Sequence, residues 1–128
     1  MQFLCKLLVI LFVIIGGQTN AHQFTPTYPK FETSFVEGVQ QVKMELFNKR
    51  SEVWFYEIDI FDKDWNKLPF ASSQGKIVRI EYLETKTIDV YVKTQDVVRV
   101  TYICTESRLL KQDVKGTSVS SRICSKVK

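Results

Sequence analysis

The chain lacks most of the residues that catalysis or metal binding would need. It has one histidine, His22, and no Gly-x-Ser-x-Gly sequence, so a hydroxyl nucleophile has no other imidazole to act as its base. Copper held by an N-terminal His22 would need a second imidazole, which the chain does not have. We therefore expect no enzyme, metal or cofactor, and we expect His22 to be a solvent-exposed residue at a frayed terminus.

Runs of basic residues and helical periodicity are missing as well. The formal net charge of +4 is spread along the chain, with no basic stretch or basic helical face, and this gives nucleic-acid binding no support. Only five glycines and three prolines are present, and they lie at segment boundaries. These features favour a compact domain over a low-complexity or helical protein.

The one long apolar run is short and lies near the N-terminus. Leu7–Ile15 is unbroken but falls well below the ~20 residues that cross a bilayer. Lys6 precedes it, Gly16 and Gly17 end it, and small residues lead to Ala21, which is typical of a secretory signal peptide. We expect cleavage after Ala21, no retained transmembrane segment, and a single domain over residues 22–128 in a periplasmic or extracellular location.

Apolar residues recur with period two along this domain, which indicates strands. In Val39–Phe47, for example, Val42 and Met44 face one way and Lys43 and Glu45 the other. About seven such segments predict an all-β, immunoglobulin-like antiparallel sandwich. The segments are His22–Lys30, Val39–Phe47, Val53–Phe61, Ile77–Leu83, Thr87–Lys93, Asp96–Glu106 and Thr117–Val127. Lys76–Lys93 is alternatively one long bent strand.

Two cysteines, Cys104 and Cys124, remain after signal cleavage, since Cys5 lies in the signal. If the last two strands pair antiparallel about a turn at Asp113–Gly116, the two cysteines lie opposite each other. An oxidising compartment then favours a disulfide over a metal site. Such a bond stabilises by roughly 3 kcal/mol in the chain-entropy model. We interpret it as a structural staple.

The last strand is a candidate interaction edge, because edge strands offer unpaired backbone groups to another chain. In this interpretation the staple holds the strand ready for pairing. The side chains along it alternate between large and small, which makes a weak donor strand. The residues of this candidate edge are Val119, Ser121, Ile123, Ser125 and Val127.

The charged turn Asp62–Asn66 has side-chain oxygens at alternate positions, as in the first half of a calcium loop. Lys67 stands where that loop needs glycine, and Ser73 where it needs a bidentate glutamate. We therefore interpret it as a strand-connecting turn. Trp65 at its tip is a candidate interface anchor, because tryptophan is favoured at interface hot spots.

Three stretches resemble the N-terminal immunoglobulin-like domain of the periplasmic pilus chaperones. They are a strand ending in asparagine (Lys43–Asn48), an aromatic strand with a charged turn (Trp54–Asp64), and Asp96–Tyr102, similar to the Asp-Arg segment of the family's sixth strand. The resemblance implies a chaperone-like role and a clasp between the sixth and seventh strands. The chain ends after its predicted seventh strand, so we expect the family's second domain to be absent. The family's first-strand arginine has no clear counterpart.

These observations together predict a small exported domain that binds a protein partner or self-associates, chaperone-like through its C-terminal edge strand. One alternative is a structural subunit of an extracellular or virion-associated assembly. Another is a secreted hydrolase using strand carboxylates such as Glu57 and Asp59, although exposed charges on the solvated face of a sheet are the commoner explanation for such residues.

Overall fold

A computed structural model of the chain describes residues 22–108 and 120–128. The predicted signal peptide, the turn at Asp113–Gly116 and Val119 lie outside the described residues.

The described residues form nine β-strands and one helical turn. The strands are β1 (Gln23–Thr25), β2 (Glu32–Thr33), β3 (Val39–Phe47), β4 (Phe55–Phe61), β5 (Ala71–Ser72), β6 (Ile77–Arg79), β7 (Thr85–Lys93), β8 (Tyr102–Arg108) and β9 (Arg122–Lys126). The helical turn α1 (Thr94–Val97) lies between β7 and β8.

The strands make two antiparallel sheets that pack face to face. Sheet A has the order β1-β3-β7-β5, with β2 also pairing with β3, and sheet B has the order β6-β4-β8-β9. The first, third and seventh strands thus lie in one sheet, and the fourth, eighth and ninth in the other, as in immunoglobulin-like sandwiches. The predicted all-β fold is confirmed, with short additional strands (β2 and β5) at the edges of sheet A.

Alternation along the strands builds the core between the sheets. Val42, Met44 and Leu46 of β3 are buried, whereas Lys43 and Glu45 between them are exposed. Most of the core comes from β3, β4 and β7, whose inward residues are almost fully buried. The inward residues of β4 and β7 are Tyr56, Ile58, Ile60, Ile88, Val90 and Val92. Burial on this scale supplies the main driving force for folding.

The predicted sixth strand is wrong in its first part. Asp96 and Val97 belong to α1, where Asp96 accepts hydrogen bonds from the backbone N–H and the guanidinium of Arg99. Val98, which we expected on a strand face, is 88% exposed. The chain crosses from sheet A to sheet B at this point, and the helical turn α1 begins that crossing. Regular pairing begins only at Tyr102.

The sequence left open whether Lys76–Lys93 forms two short strands or one long bent strand, and the segment between β6 and β7 distinguishes them. A turn at Glu81–Glu84 separates the strands, closed by a 3.1 Å bond from the Glu84 N–H to the Glu81 carbonyl. β6 pairs with β4 in sheet B, whereas β7 pairs with β3 in sheet A. Two strands in different sheets, and not one bent strand, occupy this segment.

Candidate functional site

The outer face of sheet B carries a connected group of interacting side chains. The register pairs Phe61 with Tyr102 and Asp59 with Cys104 across β4 and β8, and Cys104 with Cys124 across β8 and β9. Because residues on alternate positions of a strand share a face, these side chains form rows on the side of the sheet away from the core.

The turn after β4 folds Trp65 back onto this face. The Asp62 carboxylate accepts hydrogen bonds from the backbone N–H groups of Asp64 and Asn66, both at 2.9 Å, and from the Asn66 side-chain amide at 3.2 Å. The bond from the Asn66 backbone does most to hold the pKa of Asp62 below its usual value. The carboxylate oxygens of Asp62 therefore stabilise the turn by accepting hydrogen bonds within it. This agrees with the interpretation of the calcium-like sequence as a strand-connecting turn.

Trp65 itself has a left-handed backbone conformation, with φ of 65°. This conformation costs a residue other than glycine roughly 1 kcal/mol or more. The indole ring stacks on Tyr102, with ring centroids 4.1 Å apart and planes 1° from parallel. The strained turn therefore holds the ring in a defined position, although 47% of the residue is exposed.

Arg122 of β9 completes what we call the aromatic cluster: Phe61, Trp65, Tyr102 and Arg122. The Arg122 guanidinium carbon lies 4.7 Å from the centre of the Phe61 ring and 4.8 Å from that of Trp65, both within the range of cation–π attraction. The Phe61 and Trp65 rings are 5.7 Å apart and tilted. The sequence prediction found Trp65 but not its partners, which the fold brings from β4, β8 and β9.

The predicted disulfide lies beside this cluster. Cys104 and Cys124 are directly opposite each other, with a Cα–Cα distance of 4.1 Å and an S–S bond of 2.04 Å. Arg122 reaches along the bond, with a guanidinium nitrogen 3.9 Å from the Cys104 sulfur. The predicted pairing is confirmed by this geometry. Cys104 is 2% exposed, so the bond is largely shielded from solvent on this face.

A ladder of charges continues along the same face beyond the disulfide. Arg108 donates to the Glu57 carboxylate at 2.6 Å, and the Lys76 ammonium lies 3.5 Å from both Glu57 and Asp59. Lys67 is also 3.5 Å from Asp59. Partial burial opposes ionisation of Glu57, but Arg108 and Lys76 outweigh it and lower its pKa. Both carboxylates named for a hydrolase are thus held in ion pairs.

The side chains of the candidate edge point inward at the positions that the structure describes, residues 121–127. Ile123 and Val127 pack against the core, and Ser125 is 1% exposed. The hydroxyl of Ser125 has no hydrogen-bond partner among the described residues. A strand pairing with β9 would meet the backbone of this edge and the outward side chains, and not the inward row that the sequence suggested.

Part of the backbone edge of β9 is already occupied. The N–H of Lys126 donates to the Thr27 carbonyl at 2.9 Å, and the N–H of Lys128 donates to the Pro29 carbonyl at 3.0 Å. This segment follows β1, from which the chain turns away through a cis Thr25–Pro26 peptide bond. An added strand would have to displace residues 27–29 from this half of the edge.

His22 corrects our expectation of an exposed terminal residue. It is 2% exposed, with Nε2 2.8 Å from the Thr105 hydroxyl and Nδ1 3.1 Å from the Ser121 hydroxyl. Its ring lies 4.5 Å from that of Tyr56. Burial lowers its pKa to about 4, aided by the charge of Arg50 and opposed by the bond to Thr105. The sequence gave no signal of this, because both hydroxyls come from the far end of the chain.

Asn48 joins this buried network from the end of β3. Its side-chain amide donates to the carbonyls of Val53 and Ile80 at 2.6 and 3.2 Å. Its carbonyl oxygen accepts from the Tyr56 hydroxyl at 2.7 Å and from the Arg50 N–H at 2.9 Å. Burial raises the pKa of Tyr56 to about 12. The network ties together both sheets at this end, and it is structural because its groups are enclosed.

Among the described residues, no helix is long and apolar enough to cross a membrane. No protein-family model matches the chain, and no curated protein matches it in sequence.

Proposed function

We propose that this protein is an exported, non-catalytic protein-binding module that recognises its partner with the outer face of sheet B. The aromatic cluster forms the centre of that surface, and the charge ladder forms one side of its rim. The partner is a protein whose own surface offers an apolar or aromatic group to the exposed side of Trp65.

The observation that carries this proposal is the way in which Trp65 is held. Tryptophan, tyrosine and arginine are the residue types that dominate interface hot spots, and here Trp65 contacts both Tyr102 and Arg122. An interface residue normally loses side-chain freedom on binding, at roughly 0.5–1.5 kcal/mol each. The stack on Tyr102 and the Asp62 turn have already restricted Trp65, so this cost is reduced.

The surroundings of the cluster fit the anatomy of a binding surface. Lys67, Lys76 and Arg108 are 60%, 53% and 44% exposed at the side chain, so these cations stay accessible to solvent although the carboxylates of Glu57 and Asp59 are largely covered. They are well suited to a polar rim, where charge steers association and sets specificity.

The disulfide supports the export component, since such bonds persist in oxidising compartments. The chaperone-like use of the β9 edge is a less favoured second mode, because Thr27 and Pro29 already accept hydrogen bonds from part of that edge. The face of sheet B needs no displacement before it binds.

The test compares two exposed tryptophans. Tagged wild-type protein and the variants Trp65→Ala and Trp54→Ala are used to capture partners from the secreted and envelope fraction of the source organism, with quantification by mass spectrometry. Trp54 is 49% exposed, nearly the same as Trp65, but lies in the loop before β4, away from the cluster.

We expect Trp65→Ala to reduce capture of the specific partner by ~30-fold or more, equivalent to about 2 kcal/mol, and Trp54→Ala to leave it unchanged. Circular dichroism and the thermal midpoint establish that both variants are folded. Equal capture by wild type and a folded Trp65→Ala variant would overturn the proposal.

A further inference from the structure

The outer face of sheet A carries an apolar groove that is separate from the aromatic cluster. It has a volume of about 310 Å³ and lies where the chain before β5 runs beside β3 and β7. β5 pairs with β7 and brings this chain segment alongside the outward side chains of the two longer strands. The lining residues are Val39, Pro69, Phe70, Ala71, Tyr91 and Lys93.

A fully exposed phenylalanine lies on the turn next to this groove. Phe35 belongs to the turn between β2 and β3 and is 103% exposed, and Val36 beside it is 61% exposed. Burying an exposed phenylalanine side chain is worth about 1.5–3 kcal/mol. The arrangement therefore leaves a substantial favourable interaction unused in the single chain.

The turn presents Phe35 from a well-ordered support. The Ser34 hydroxyl donates to the carbonyl of Val39 at 2.6 Å and accepts from the backbone N–H of Val36 at 3.1 Å. The turn closes at Gly38, whose φ of 79° suits glycine, and the Gly38 carbonyl accepts from the Thr94 N–H at 2.9 Å. Phe35 thus projects into solvent from a turn that is fixed to both β3 and the start of α1.

Phe35 and the groove are close along the chain, because Val39 both follows the turn that carries Phe35 and lines the groove. Phe35 contacts no part of its own groove, as its complete exposure shows. A cavity of about 150 Å³ holds a benzene ring, so the groove has room for a phenylalanine ring from another molecule.

A second copy of this chain would bring complementary charge to this surface, because each copy carries an acidic side chain close to Phe35 in sequence and a basic side chain at the groove. Glu37, exposed on the turn, follows Phe35 and Val36, and Lys93 lies exposed at the groove. No salt bridge is seen for either residue within the described part of the chain. A second copy that inserts its Phe35 therefore also brings the Glu37 carboxylate, which can pair with the exposed Lys93 at the groove.

We propose that the protein forms a twofold-symmetric homodimer through the outer face of sheet A. Each protomer inserts Phe35 into the groove of its partner and pairs Glu37 with Lys93, so that the same contacts form twice, as twofold symmetry requires. The two inserted phenylalanine side chains bury roughly 300–500 Å² of their own surface, which is small beside the ~1,200 Å² at the lower end of stable specific interfaces. The dimer is therefore weak and concentration-dependent.

Sedimentation velocity over a range of protein concentrations tests this dimer directly. Wild type is expected to shift from monomer to dimer, and Phe35→Ser to raise the dimer dissociation constant by about tenfold or more. Phe35 touches nothing in the single chain, so this variant keeps its fold. Val98→Ser removes another highly exposed apolar side chain (88%) and is the matched control, expected to dimerise as wild type does.

A charge exchange tests the pairing independently of the apolar contact. Glu37→Lys and Lys93→Glu are each expected to weaken the dimer, and the double variant to restore it, because the attraction is then rebuilt with the signs reversed. A wild type that stays monomeric at every concentration would overturn the proposal. So would a dimer that survives Phe35→Ser unchanged, since it would use a different surface.

Discussion

The buried His22 predicts an unusual dependence of stability on pH. Both ring nitrogens are bonded to hydroxyl groups, of Thr105 and Ser121, and a hydroxyl can donate or accept, so the neutral ring is satisfied in either tautomer. Burial disfavours the charged ring and lowers the pKa to about 4. The unfolded chain, by contrast, takes up the proton near the ordinary pKa of 6.5.

The sign of the effect follows from this difference. Above pH 6.5 His22 is neutral in both states and its contribution to stability is fully present. As the pH falls from 6.5 towards 4, the unfolded state binds a proton that the folded state does not, so the free energy of unfolding decreases. A lowering from 6.5 to about 4 corresponds to a loss of about 3 kcal/mol.

The variant His22→Gln isolates this contribution, because glutamine retains hydrogen-bonding capacity but does not titrate. At pH 7.5 we expect the variant to be less stable by about 1–2 kcal/mol, since it loses the ring contact with Tyr56 and at least one hydrogen bond. Towards pH 4 the wild type loses about 3 kcal/mol that the variant keeps. The order of stability therefore reverses.

Urea unfolding followed by tryptophan fluorescence measures this at pH values from 7.5 to 4. With a slope of about 2 kcal/mol per molar urea, the difference between the two midpoints should change by about 1.5 M across the range. Carboxylates, including Glu52 with its lowered pKa, titrate in both proteins and cancel in the comparison. Both proteins are compared with Ala21 retained ahead of residue 22, because a glutamine at a free N-terminus cyclises and loses its amine.

The chain contains one histidine, so its ring proton gives a single histidine signal in an NMR titration. A midpoint near 4 agrees with the buried position, whereas a midpoint near 6.5 would show that the ring is accessible. A stability difference between wild type and His22→Gln that stays constant from pH 7.5 to 4 would refute the reasoning.

Two further predictions concern the network and the disulfide. Asn48→Ala should lower the free energy of unfolding by about 3 kcal/mol, because the buried carbonyls of Val53 and Ile80 lose their donor; a loss below 1 kcal/mol in urea unfolding would contradict this assignment. Replacing both Cys104 and Cys124 with serine should cost about 3 kcal/mol for the lost cross-link. Reduction of the wild-type disulfide should lower the free energy of unfolding by a similar amount. If neither the double serine variant nor the reduced wild type has a lower urea midpoint, the bond does not act as a structural staple.

The strands were predictable where one face is buried and the other exposed. Val39–Phe47 has the predicted boundaries and orientation, because a single row of alternating residues carries all the necessary information. Asp96–Glu106 shows the limit of this signal. Val98, Val100 and Tyr102 alternate as in a strand, but the need to cross between sheets, which no local pattern records, places α1 there instead.

The contacts of the candidate site could be predicted only in part. Trp65 at the tip of a turn was visible from the local residues, and so was the opposition of the two cysteines. The stack on Tyr102 and the position of Arg122 depend on which strands become neighbours in sheet B. His22 depends in the same way on Thr105 and Ser121, so its burial was missed.

The disulfide and the aromatic cluster are linked through strand register. Tyr102 and Arg122 belong to different strands, and both must face outward for the cluster to form. A shift of one residue between β8 and β9 would turn one row of side chains to the opposite face. The bond between Cys104 and Cys124 excludes that shift, because it joins the two strands at directly opposed positions. It therefore fixes the geometry of the proposed binding surface as well as stabilising the fold.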